Sequence, residues 1–126
     1  MINVAIDGPA GAGKSTIAKA AAKELGFIYV DTGALYRAIA YNAVKTGAID
    51  DEQKIINMLD LTKVELKYVN GVQAVYLNGE DVSAFIRTPE ISMGASKVSA
   101  IPQVRAFLLN LQREIASTNN VIMDGR

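Results

Sequence analysis

Neither cysteine nor histidine occurs anywhere in the 126 residues. Without thiols the chain forms no disulfide and no thiolate metal centre, and nothing points to an oxidising compartment. Without imidazole it cannot run Ser-His-Asp hydrolysis or hold zinc through histidine, which leaves carboxylates, lysine, arginine, hydroxyls and backbone N–H groups as its chemistry. An excess of charge is missing too, since 13 Lys and Arg face 13 Asp and Glu. No general field draws the protein to nucleic acid or anionic membrane, so neither is expected as a partner and any bound anion must be held locally. Long apolar runs are also lacking: none approaches the ~18 residues that span a bilayer, and MINVAIDGP has no basic region ahead of an apolar stretch. A cytoplasmic protein is expected. Internal repeats and low-complexity segments are absent as well.

What is present suffices for a folded domain. Half of the residues are hydrophobic and 21% are charged, so burial can offset the chain entropy lost on folding. One globular domain is expected at this length. The run from Asn3 to Asp7 is short and apolar and ends at Gly8 and Pro9, which reads as a buried strand feeding a turn. Lys14 to Leu25, rich in alanine and lysine and stopped by Gly26, reads as a helix, and Phe27 to Asp31 as a second strand parallel to the first.

Between that strand and that helix, Gly8-Pro9-Ala10-Gly11-Ala12-Gly13-Lys14-Ser15 matches G-x-x-x-x-G-K-[ST]. Glycines let the backbone curl until successive N–H groups face one anion-sized hollow, and the helix start adds its positive dipole end. Lys14 is expected to reach the β and γ phosphates of a nucleoside triphosphate. The Ser15 hydroxyl is expected on a magnesium ion, with Thr16 adding a hydrogen bond. The motif identifies triphosphate binding and leaves the acceptor open.

Downstream, Thr32 is expected to cap a helix from about Gly33 to Lys45, with Leu35, Ile39 and Ala43 on one face, and a shorter helix is expected from Asp50. VELKYV, VQAVYL and VSAFI, separated by Asn-Gly pairs, predict three short antiparallel strands set beside the main sheet. Thr88-Pro89 and Pro102 mark two helix starts, the second helix burying Val104, Phe107, Leu108, Leu111 and Ile115. VIMDGR reads as a third parallel strand. A parallel sheet closing there lacks cover on its far side, so the chain is expected to be incomplete at its C-terminus.

Asp31-Thr32-Gly33-Ala34-Leu35-Tyr36-Arg37 follows the second strand, at the edge of an open sheet where ligands bind. On the early helix, Arg37 can grip a phosphate with both arms of its guanidinium, or serve only as a surface ion pair. Asp124, closing an apolar strand, can join a magnesium shell or merely cap the strand end.

DTGALYR after GPAGAGKST, then the strand insertion and ASKVSAIPQVRAFL, then DGR, together resemble the bacterial cytidylate kinases, a branch of the nucleoside monophosphate kinases. The likeness runs from Ile2 to Arg126. It implies a P-loop three-layer α/β/α fold with a parallel core sheet and a small antiparallel β insertion in the acceptor-binding region. The whole of 1–126 would be one kinase domain, with 1–31 and 119–126 as core and 32–118 as the acceptor-binding region, the β insertion lying at 64–87. It further implies that Arg37 and Arg126 hold the acceptor phosphate with Thr32 and Gly33 beside them, and that Ser96 and Arg105 read the cytosine. The implied reaction moves the γ-phosphoryl of ATP to CMP or dCMP, with Lys14, Arg37, Arg126, Asp124 and Mg2+ neutralising charge, in a protein expected to be monomeric. Family members continue past DGR with an arginine-bearing lid, so the 126 residues alone are expected to be a poor or inactive kinase. A nucleotide-binding fragment, or a kinase for UMP or AMP, is the alternative.

Overall fold

The computed structural model describes residues 2–6 and 14–124. The expectations at Gly8, Pro9, Ala10, Gly11, Ala12, Gly13 and Arg126 lie outside these, as do the side chains of Lys14, Ser15 and Asp124. Three short apolar segments build the main sheet: β1 (Asn3–Ile6), β2 (Ile28–Val30) and β6 (Val121–Asp124). All run parallel in the order β1-β6-β2, so the latest in sequence is the middle strand. The alternation of side chains along a strand divides the burial. Tyr29 and Ile122 face helix α1 (Lys14–Leu25), packing with Ala18 and Ala22. Ile28, Val30 and Val121 face the opposite way into the main core.

That core is supplied by α2 (Thr32–Lys45), α3 (Glu52–Met58), α4 (Pro89–Ser99) and α5 (Pro102–Thr118). Helix, sheet, helices gives the three-layer α/β arrangement expected. Leu35, Ile39 and Ala43 of α2 are all fully buried, as their spacing predicts. Helices α2 and α4 pack closely at Gly94, where an added Cβ would lie 3.2 Å from Ala40 Cβ and 3.4 Å from Ile49 Cδ1. Thr88 caps α4, its hydroxyl accepting from the Ile91 N–H at 3.2 Å, and Pro89 and Pro102 begin their helices as expected.

Two caps differ from expectation. Asp31, not Thr32, caps α2, its Oδ1 accepting from the Ala34 N–H at 3.1 Å, and Thr32 is the first helical residue. A carboxylate both accepts this bond and complements the positive helix end, so it outcompetes the neighbouring hydroxyl. In the same way α3 begins two residues later than expected, because the Asp51 side chain accepts from Lys54.

The insertion is a meander of β3 (Val64–Val69), β4 (Val72–Leu77) and β5 (Glu80–Asp81). Val69 pairs with Val72 and Leu77 with Glu80, leaving the Asn70-Gly71 and Asn78-Gly79 pairs as two-residue turns with positive φ throughout. The strand expected at VSAFI does not form: β5 lies just before it and is two residues long, and residues 82–86 are not strand. Ser83 turns the chain away: its N–H donates to Asp81 Oδ1 at 3.0 Å and its Oγ accepts from the Val75 N–H at 2.8 Å. Val82 and Ile86 then drop fully buried into the core, which outweighs further strand pairing.

The meander is fastened on two sides. Tyr68 donates its hydroxyl to the Phe27 carbonyl, and the Gln73 amide both accepts from and donates to the Tyr29 backbone. On the other side Phe85 stacks on Tyr41 of α2 with ring centroids 5.9 Å apart, and Lys45 reaches Glu80 at 3.4 Å.

Candidate functional site

Strand register sets the site. Ile6 pairs with Asp124 and Val30 with Met123, so the end of β1, the end of β6 and the Asp31 that follows β2 share one edge of the sheet. β1 ends at Ile6 on that edge, where open α/β sheets bind ligands, and α1 is the next described element. The backbones of Lys14 and Ser15 open α1, and Thr16 beside them is exposed.

On the β2 side, Asp31 Oδ1 organises the first turn of α2, which carries Thr32 and Gly33, both half-buried. Arg37 lies one turn on and folds back over Gly33. Its Nη1 is 3.0 Å from where a Cβ on Gly33 would stand, so only glycine leaves the guanidinium this position. The Arg37 Nε is buried and has no hydrogen-bond partner among the described residues. Native structures rarely leave such a donor unmatched; a water, an ion or a ligand completes it.

Arg37 is not alone in its charge. Asp31 Oδ2 lies 4.0 Å from Lys19 Nζ of α1 and 3.8 Å from Arg87 Nη2, on the segment entering α4. These residues border a cavity of about 290 Å3 between α1, β2 and the meander, whose apolar wall includes Leu66, Val72 and Val75. Sequence reasoning missed Lys19 and Arg87 as neighbours of Asp31. Nothing in a linear pattern brings together a residue of the first helix and one beyond the meander.

Ser96 and Arg105 are both exposed, on α4 and α5. The Pro102 junction folds α5 back so that Arg105 Nη1 donates to the Ser99 carbonyl at 3.1 Å, while Ser99 Oγ donates to the Ser96 carbonyl at 2.9 Å. Arg105 therefore meets the last turn of the helix that carries Ser96. Lys97, beside Ser96, holds Asp50 at 2.7 Å and ties α4 to the loop before α3.

Among the described residues two groups are shifted in acidity. Burial raises Tyr68, which keeps its hydroxyl a donor to Phe27. Hydrogen bonds from the Ser83 side chain and backbone lower Asp81. Among the described residues no group of three or more Asp and Glu forms a ready metal site, and no helix is long and apolar enough to cross a membrane.

The cytidylate kinase family profile matches residues 4–126. Among curated relatives, a cytidylate kinase from Caldicellulosiruptor bescii is 52% identical over 99% of this chain and 56% of its own length. One from Lactobacillus gasseri is 52% identical over 100% of this chain and 55% of its own, and one from a Geobacillus strain is 48% identical over 99% and 56%. The chain thus spans about half the length of the curated relatives it matches.

Proposed function

The chain belongs to the cytidylate kinase family, and from that premise we propose that the protein transfers the γ-phosphoryl of ATP to the phosphate of CMP or dCMP. An acceptor phosphate oxygen forms the new O–P bond as the bond from Pγ to the bridging oxygen of ATP breaks, and ADP leaves with that electron pair. No general base is required, because the acceptor phosphate is already anionic near neutral pH. The protein's task is to align two anions and neutralise the charge between them.

One observation carries this reading. The end of β1, which the phosphate-loop sequence follows, and Asp31, which caps the helix bearing Arg37 and its unmatched Nε, lie at a single sheet edge. In the proposal the backbone amides of Gly8 to Gly13, with Lys14 and Thr16, hold the ATP phosphates, and Arg37 and Arg126 with Thr32 and Gly33 hold the acceptor phosphate. Ser96 and Arg105 read the base. Ser15 and Asp124 would hold magnesium, their hard oxygen donors suiting that ion and Asp124 pairing in register with Ile6, and the metal would neutralise charge on the β and γ phosphates. The proposal takes 1–31 and 119–126 as core and 32–118 as the acceptor region, in a cytoplasmic monomer acting on small nucleotides.

The test is calorimetric titration of Mg·ATP into wild type and Lys14→Ala, followed by CMP, UMP and AMP under the same conditions. Loss of Mg·ATP binding in the variant and tightest acceptor binding for CMP are expected. Unchanged Mg·ATP affinity overturns the phosphate-loop assignment, and AMP binding best overturns the roles of Ser96 and Arg105.

A further inference from the structure

Asp31 uses its two oxygens for different things. Oδ1 is spent on the α2 cap. Oδ2 faces Lys19 and Arg87 at 4.0 and 3.8 Å, beyond hydrogen-bond reach, and both cationic side chains are about half exposed. Such contacts add little to stability, so the fold does not depend on them. Their placement is more informative. Lys19 belongs to the helix that begins at the phosphate loop, and Arg87 precedes Thr88, the cap of the helix carrying Ser96. One carboxylate thus gathers the donor helix, the acceptor helix and the entry to the base-side helix. Two cations against one carboxylate leave positive charge in excess, one turn from Arg37 and its unmatched Nε.

We propose that Asp31 is a positioning residue for the acceptor, holding Lys19 and Arg87 at the start of α2 so that, together with Arg37, they form a cationic rim around the incoming monophosphate. This rests on the monophosphate kinase reading above. Asp31 does not touch the acceptor; it acts through the two cations, which in its absence fall back into solvent as flexible, separately hydrated charges. Arg87, carried at the end of the meander, then links acceptor binding to the seating of that meander on β2.

The substitution Asp31→Asn separates the roles, since asparagine caps a helix as well as aspartate does but holds no cation. The sign of the effect is decisive. A carboxylate that only diluted the local positive potential would, once neutralised, let a phosphate bind more tightly. A positioning carboxylate would, once neutralised, let the acceptor bind more weakly.

In the full chain, titrated by calorimetry with CMP and separately with Mg·ATP, Asp31→Asn is expected to weaken CMP by about tenfold, the size of one charge-assisted contact. Mg·ATP affinity should stay within about twofold and the thermal midpoint should hold. Arg87→Gln, at an exposed position, should produce a similar loss, and the double variant should be little worse than either single one. Unchanged or tightened CMP binding in Asp31→Asn, or fully additive losses in the pair, overturns the proposal. The wild-type CMP isotherm tests the kinase reading by itself, so the two can fail separately.

Discussion

Gln73 pairs with Tyr29 as if it were a length of strand: the Tyr29 N–H donates to Gln73 Oε1 at 3.0 Å, and Gln73 Nε2 donates back to the Tyr29 carbonyl. A side chain 44 positions away thereby satisfies the open edge of β2, where a further strand would otherwise pair. Gln73→Leu is expected to cost about 1–3 kcal/mol, because it strips a buried donor and acceptor of this partner while adding apolar bulk that cannot replace it. Urea denaturation checks this. Gln73→Glu should be no better, since a carboxylate cannot donate to the carbonyl.

Gly33 is the second prediction. A Cβ there would stand 3.0 Å from Arg37 Nη1 and 3.4 Å from Asp31 Oδ1. Gly33→Ala should push the guanidinium aside while leaving α2 intact, since alanine favours helix. Acceptor affinity is expected to fall by about tenfold or more, with melting temperature unchanged or raised. Parallel CMP titration and thermal unfolding read both.

The interhelical contact at Gly94 gives a third. Ala40 Cβ sits on the rigid frame of α2, so it cannot swing away from a new methyl at 3.2 Å, and the helices must part. Overpacking should outweigh the gain in helix propensity, for a net loss of about 1 kcal/mol in Gly94→Ala. Equilibrium unfolding measures it, and a gain in stability would contradict the close approach.

Tyr68 supplies a pH dependence. Burial raises its pKa above the ordinary tyrosine value of 10.0, so the folded state holds the phenolic proton more tightly than the unfolded chain does. Its contribution is therefore complete below the unfolded value and declines as pH rises through the folded one. Stability followed from neutral to strongly alkaline pH should show this decline in the wild type and a shallower one in Tyr68→Phe. At neutral pH, Tyr68→Phe should cost about 1 kcal/mol for the bond to Phe27.

The parts legible from sequence were those written contiguously. The two Asn-Gly turns, the Thr88-Pro89 start and the α2 face each lie within a few residues, where local chemistry decides. What escaped was decided by competition or distance. Thr32 lost the cap to Asp31 because two adjacent side chains could serve and the carboxylate serves better. VSAFI has strand propensity, yet the core claimed Val82 and Ile86. Lys19 and Arg87 carry no local mark of their shared neighbour, which exists only once the meander has docked. For the site, the sequence named Arg37 and Gly33 but could not reveal that one is folded over the other.

The position of β6 bears on how the chain assembles. Among the described residues β1 and β2 each pair only with it, so neither has a strand partner there until residues 121–124 arrive. During synthesis the helices can form early from local contacts, while the sheet waits for pairings of long sequence separation, which are slow to close. Until then two apolar strands lie open to the wrong neighbours, and this interval is when the nascent chain is most prone to aggregate or to recruit a chaperone.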